Sequence, residues 1–309
     1  MNLRIGHLST FYHTSILMIA RDTMGKETEW RLFGTGPAIV DAFDRGEIDI
    51  AYIGLPPAVI GIGRGVNITC IAGGHVEGTV ICAGSQFSGF PEIADPAMIL
   101  GQFRNRKIGV PGKGSIHDVI ITELLRKLDL EEDIEIVNFQ WADMVLEALY
   151  RGDVSAAVGT PALAVAAIRY AGGKILYPPH TLWPNNPSYG ILVNQDFYHR
   201  ENEAVEGFLL LHEEATAFLR NKPREASKII SGYVGIVDEA FVLDTLKVSP
   251  KYCASLTDDY IASTMGFVEV LKRLKYIDRQ ISSDEIFDRS LIEKIHPEKE
   301  HYEDGIAVQ

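Results

Sequence analysis

Serine, threonine, histidine and glycine recur in this chain wherever an apolar run ends. The stretch His7–His13 holds Ser9, Thr10, Phe11, Tyr12 and His13, and Thr35 and Gly36 precede Pro37. Gly54 follows the run Ile48–Ile53, and His75 follows Gly73-Gly74. Gly112-Lys113-Gly114-Ser115 opens an apolar stretch that carries His117, and Thr160 precedes Pro161. Glycine lets backbone N–H groups come close to a bound atom, and hydroxyls add donors and acceptors, so the chemistry is hydrogen bonding to a small molecule. Several of these residues have a second reading. Ser115 and Thr35 are also N-caps, worth about 1 kcal/mol. Phe11 is equally suited to a core, and Trp141, Trp183 and Tyr189 are stacking surfaces or packing. The expected ligand contacts are Ser9, Thr10, Phe11, Tyr12, His13, Thr35, Gly36, Gly54, His75, Gly112, Gly114, Ser115, Thr160, Trp183 and Tyr189.

Familiar catalytic patterns fail in turn. His212-Glu213-Glu214-Ala215-Thr216 starts like a zinc-protease motif but lacks its second histidine. No Gly-x-Ser-x-Gly elbow occurs. The Gly112–Ser115 loop is not a P-loop, because Lys113 is followed by Gly114 rather than by serine or threonine. Cys70, Cys82 and Cys253 are too scattered for a zinc or redox pair and read as reduced, packed thiols. His296, Glu298, Glu300 and His301 read as a solvated, charged tail. No metal, no cofactor and no catalytic residue is expected. For an enzyme, His7, His13, His75 and His117 would be the acid/base groups. No arginine falls in the candidate loops, which disfavours a strong anion held by a guanidinium fork. A neutral or weakly anionic, partly aromatic molecule fits better.

The elements that must position these loops repeat. Val40–Pro56 reads VDAFDRGEIDIAYIGLP and Leu146–Pro161 reads LEALYRGDVSAAVGTP. Arg4-Ile5-Gly6 matches Lys107-Ile108-Gly109; Gly46 lies 40 positions after Gly6, and Gly152 lies 43 after Gly109. Each unit parses as strand, loop, helix, strand, helix, strand. The first gives Leu3–His7, Thr14–Met24, Glu29–Phe33, Pro37–Arg45 and Ile48–Ile53, with Gly46 as a left-handed cap. The second gives Lys107–Val110, Ser115–Leu128, Ile134–Phe139, Asp143–Arg151 and Val154–Val158. Alternating strands and helices call for parallel sheets, and such sheets bind ligands beyond the carboxyl ends of their strands. Those ends are the loops His7–His13, Gly34–Gly36, Gly54–Leu55, Gly73–Glu77, Pro111–Ser115 and Gly159–Thr160. Helices are expected at Pro56–Gly63, Pro161–Tyr170, Glu203–Arg220, Pro223–Val234, Asp238–Leu246 and Asp258–Leu274. Strands are expected at Asn67–Ala72 and Ser188–Asn194, and loop over Ala83–Asp95 and Tyr177–Pro187. Val80–Gly84 and Tyr189–Val193 are the expected hinge strands, with residues 1–83 plus 192–309 as one lobe and 84–191 inserted as the other.

At 309 residues the chain has room for two such lobes. A net charge of −13 excludes a nucleic-acid surface, which needs a basic stripe. No apolar run is long enough to insert in a membrane. Leu3-Arg4-Ile5-Gly6 reads as a core strand directly after Met1, so no signal peptide is expected. The chain is then either cytoplasmic or a mature exported form, in the periplasm or at the cell surface, and a monomer.

The ordered motifs AIVDAFDRGEIDIAYIGLPPAV, NITCIAGG, RKIGVPGKGSIHDVIITELL and MVLEALYRGDVSAAVGTPALA resemble the solute-binding proteins for sulfonates, nitrate and the thiamine-precursor pyrimidine. These are receptor subunits of ABC importers, and the resemblance covers roughly residues 2–275. It implies a type II periplasmic-binding-protein-like α/β fold. Each lobe would be a mostly parallel sheet flanked by helices, with a two-strand hinge, and the lobes would close on a small solute or anion. It also implies an ABC permease as partner. The same architecture serves enzymes of a menaquinone pathway, so a cytoplasmic enzyme acting on a small carboxylate or aromatic metabolite is the alternative. A ligand-sensing regulatory module is a third reading.

Overall fold

The computed structural model describes residues 3–25 and 27–307. Ten strands form two five-stranded sheets: β1 Leu3–Leu8, β2 Thr28–Phe33, β3 Ile50–Ile53, β4 Ile68–Val76, β5 Val80–Gly84, β6 Arg106–Pro111, β7 Ile134–Phe139, β8 Ala156–Gly159, β9 Gly173–Tyr177 and β10 Pro187–Asn194. Their orders are β2-β1-β3-β10-β4 and β7-β6-β8-β5-β9. The two orders are the same topology used twice. The duplication extends to register: Gly6 stands opposite Ala51, and Gly109 stands opposite Ala157. Both glycines lie under a phenylalanine of the neighbouring strand, Phe33 and Phe139, in the place a side chain would occupy. Gly46 and Gly152 have φ of 65° and 78°, the left-handed conformation that ends the helix before each.

In each sheet one strand runs antiparallel to its neighbours. In the first sheet it is β10, between β3 and β4; in the second it is β5, between β8 and β9. Each is the first strand laid down after the chain passes from one sheet to the other. The passages are Glu77–Thr79 and Pro178–Asn186, so Val80–Gly84 and Tyr189–Val193 lie inside the sheets rather than between them.

Four further expectations change. The helix expected over Thr14–Met24 stops at Ala20, because the chain turns through Asp22 with φ of 50°. Gly73–Glu77 is not a loop: β4 runs through Val76, and Gly73 and Gly74 lie where Tyr302 and Tyr189 press against the strand. The stretch before Tyr177–Pro187 holds a strand, β9, and the loop itself holds the short helix Pro179–Leu182. His296 is not solvated. It is buried, with Nδ1 2.9 Å from Glu213 and Nε2 3.6 Å from the thiol of Cys253.

The main core lies in the first lobe, where the C-terminal helices pack on the first sheet; the second sheet has its own apolar clusters. Ile116, Val119 and Ile120 of the helix Ile116–Lys127, which follows β6, join the first-lobe core, so the lobes are closed on each other. All three cysteines are free and buried. Among the described residues no helix is long and apolar enough to cross a membrane.

Candidate functional site

Parallel strands β1, β2 and β3 and their counterparts β6, β7 and β8 end facing one another across the interface of the lobes. Each is followed at once by a helix: Thr14–Ala20, Gly36–Asp44 and Leu55–Gly63 on one side, Ile116–Lys127, Ala142–Arg151 and Pro161–Tyr170 on the other. Six sets of backbone N–H groups therefore point towards one place. That place is a partly open cavity of about 50 Å3. At roughly 10–15 Å3 per water-sized centre it holds a few such groups. A broader recess of about 620 Å3, lined by Gln195, Tyr198 and Asp288 among others, lies on the first lobe away from all six strand ends. The smaller cavity is where the chemistry converges.

Nine of the expected contacts line it: Ser9, Thr10, Tyr12, His13, Thr35, Gly36, Gly54, Ser115 and Thr160. The other six do not. Phe11 packs edge-on against Phe241. Gly112 abuts Thr35 of the opposite lobe, and the Gly114 N–H is taken by the carboxylate of Asp118 at 2.8 Å. Trp183 stacks on Phe267 with ring centroids 4.0 Å apart. His75 and Tyr189 are fully buried behind the cavity wall. The lining also includes Leu8, Gly34 and Pro111 at the expected loops, and Pro57, Ile116, His117, Ala142 and Ser188. Ser188 had no sequence signal, since it enters only through the pairing of β10 with β4.

Two buried polar atoms in the lining have no partner. Thr10 Oγ1 and His13 Nδ1 are enclosed and unbonded among the described residues, although an unpaired buried polar atom costs roughly 1–3 kcal/mol. The other histidines around them are hydrogen-bonded. His75 Nε2 lies 2.6 Å from the Ser249 carbonyl, which can only accept, so this nitrogen carries the proton. His75 Nδ1 then accepts from the Ser188 hydroxyl at 2.9 Å, and that oxygen accepts the Gly78 N–H at 2.6 Å. His212 is fixed the same way, donating to the Gly73 carbonyl at 2.8 Å and accepting from Thr14 at 3.0 Å. His117 Nδ1 pairs with the Thr79 hydroxyl at 2.9 Å. Tyr189 lies beneath His13 with ring centroids 4.1 Å apart, and its hydroxyl accepts the Thr14 N–H at 3.3 Å.

Burial sets the charge state. It pushes His75 and His117 down to about 4 and His13 well below its usual range, so all three are neutral at pH 7. Burial also raises Tyr12, and Tyr189 to about 12. No lysine or arginine lines the cavity, so the positive potential there comes from helix starts. The lining offers neutral donors and acceptors on one part, and Leu8, Pro57, Pro111, Ile116 and Ala142 on another. Among the described residues no group of three His, Cys, Asp or Glu could hold a metal ion.

The profile of the NMT1-like family matches residues 1–232. A Brucella abortus protein assigned as a binding protein is 24% identical over 264 residues, 83% of this chain and 77% of that protein. A Bacillus subtilis protein assigned as an aliphatic sulfonates-binding protein is 23% identical over 275 residues, 87% and 79% of the two chains. Among solved structures, the periplasmic aliphatic sulphonate binding protein of Escherichia coli superposes with a TM-score of 0.76 at 16% identity, covering 93% of this chain and 92% of that one. The periplasmic nitrate-binding protein of Synechocystis gives 0.77 at 14% identity, covering 100% and 91%. These likenesses show the fold to be that of two-lobed periplasmic binding proteins.

Proposed function

The chain belongs to the NMT1-like family, and on that premise we propose that it captures one small organic solute or anion between its lobes. It does so as the receptor of an ABC importer for a sulfonate-, nitrate- or pyrimidine-like solute, and a permease is its partner. The observation that carries this reading is the pair of buried, unpartnered polar atoms, Thr10 Oγ1 and His13 Nδ1, in the lining of a cavity where six helix starts meet. A solute with a donor and an acceptor would supply the missing bonds. The relatives' names, all of binding proteins, support the class of activity. In this reading the lobes are the two sheets with their helices, and the chain passes between them at Glu77–Thr79 and Pro178–Asn186. The nine lining residues named from the sequence, together with His117 and Ser188, are the ligand contacts in this reading.

An enzyme has one observation in its favour: the cavity-lining Ser188 hydroxyl donates to His75. That histidine is a poor base, because its imidazolium would be buried without a counter-charge and it takes a proton only near pH 4. Capture is the better account.

A thermal-shift screen of sulfonates, nitrate, pyrimidines and small aromatic acids tests it. A ligand at a hundred times its Kd contributes about 2.7 kcal/mol, a rise of several degrees for a chain of this size. At least one class is expected to give that rise, with no product formed on prolonged incubation by mass spectrometry. Silence across the panel, repeated by calorimetry, would defeat the reading, and sustained turnover would replace it with the enzyme.

A further inference from the structure

The loop Gly112–Ser115 borders the cavity, yet its best donor is spent within the protein. Gly114 has φ of 81°, and its N–H donates to Asp118 Oδ2 at 2.8 Å. Asp118 sits one turn into the helix that the loop opens and is 2% exposed. Its other oxygen accepts from Asn138 Nδ2 at 2.8 Å, and Asn138 also reaches the Pro111 carbonyl at 3.2 Å. The Asp118 N–H is held by Ser115 Oγ at 3.3 Å. One carboxylate thus gathers both ends of the loop.

The remaining contact comes from the opposite lobe. Tyr276, just past the helix Asp258–Arg273, is packed on the first-lobe core, and its hydroxyl donates to Asp118 Oδ2 at 2.7 Å. Burial and the nearby carboxylate push this phenol up, so it remains a donor. At the end of that helix, three residues before Tyr276, Arg273 reaches the buried Glu123 at 2.6 Å, a second polar tie across the same edge. Gly112 lies against Thr35 and Gly114 near Ile60 and Pro37, so the loop fits the first lobe only when the lobes are together.

We propose that Asp118 and Tyr276 are positioning residues of the binding site: the Tyr276–Asp118–Gly114 chain makes the shape of the cavity loop and the closure of the lobes one coupled event. With the lobes apart, Asp118 loses its donor from Tyr276 and its grip on Gly114 loosens. The loop N–H then becomes free to meet an incoming ligand and is recaptured as the lobes shut. This deepens the capture reading and rests on it for its purpose, but its test uses the ligand-free chain, so a failed ligand screen leaves it decidable.

The test is Tyr276→Phe, which removes one oxygen and keeps the ring, with Asp118→Asn as the companion. Amide hydrogen exchange and small-angle X-ray scattering are measured on the unliganded protein. The Gly114 amide is expected to exchange at least tenfold faster in Tyr276→Phe, as for loss of a hydrogen bond to a charged group, and the radius of gyration is expected to rise. Exchange at Ile191 and Leu192, in Tyr276's own lobe, stays as in the wild type, which separates positioning from general loosening. Wild-type exchange at Gly114 in Tyr276→Phe, with or without a larger radius, would overturn the coupling. Equal acceleration across the first-lobe core would overturn it as well.

Discussion

The two lobes bring their helix starts to the cavity in different states. In the first lobe, His13, Thr35 and Gly54 stand at N-cap positions, and none gives a side-chain hydrogen bond to its helix. In the second, Ser115 and Thr160 each accept an N–H of their own helix, from Asp118 and Leu163, and only Trp141 does not. Both unpartnered atoms of the cavity lining, on Thr10 and His13, also belong to the first lobe. Bonds left unmade in the first lobe are already made in the second. In the capture reading, the unmet hydrogen bonds that a solute would take up are concentrated in the first lobe.

Acid should widen the contrast most. His75, His117 and His212 take a proton near 4 in the fold, against 6.5 for a free imidazole. Between these values the unfolded chain binds more protons, so stability falls as pH drops from 6.5 towards 4 and is regained above that window. Each imidazole contributes on the order of 3 kcal/mol at the acid end. His75 and His212 lie in the first lobe, so hydrogen exchange at pH 4.5 is expected to open that lobe before the other. His212→Gln should flatten the pH slope of urea unfolding, and an unchanged slope would remove this histidine from the account.

Paired substitutions cut the comparison more finely. Thr10→Val and Thr35→Ala are expected to weaken binding of a screened ligand about tenfold or more, with the apo melting temperature nearly unchanged. Ser115→Ala and Thr160→Ala should do the reverse first, costing about 1 kcal/mol of apo stability through the lost caps. If all four behaved alike in calorimetry and thermal melts, this contrast between the lobes would collapse. The smallest effect belongs to the repeated glycines. Gly46→Ala and Gly152→Ala place a side chain in open space but at positive φ. Each should cost roughly 1 kcal/mol, equally, because the two lobes share this corner.

The parts of the fold legible in the sequence are those whose causes are local. The repeat was readable because Gly46 and Gly152 end their helices, and Gly6 and Gly109 pass under a phenylalanine, for the same reason twice. Helix starts after strand ends could be named from Ser, Thr, Gly and Pro, and seven such residues, with Tyr12 and His13, came together in the cavity. The rest depended on distant partners. Gly73 and Gly74 look like a flexible loop until Tyr189 and Tyr302 are seen lying on them. His75 looks like a cleft residue until Ser188 and Ser249 enclose it. His296 looks solvated until the helix bearing Glu213 and the chain around Cys253 fold against it. Ser188 and Tyr276 act across more than a hundred residues of sequence, where spacing carries no signal.

The exchanged antiparallel strands also bear on the order in which the chain can fold as it is made. The first sheet has a gap between β3 and β4 that only β10, Pro187–Asn194, can fill. The second sheet already has all its strands once Tyr177 has been joined. Although the first lobe is begun earlier, the inserted lobe is the one that can be completed first on the ribosome. Until β10 emerges, the facing edges of β3 and β4 stay unpaired, and unpaired edges are where misassociation starts. Those edges wait from the making of Val76 until that of Asn194, and this is the stretch of synthesis in which they are open to misassociation.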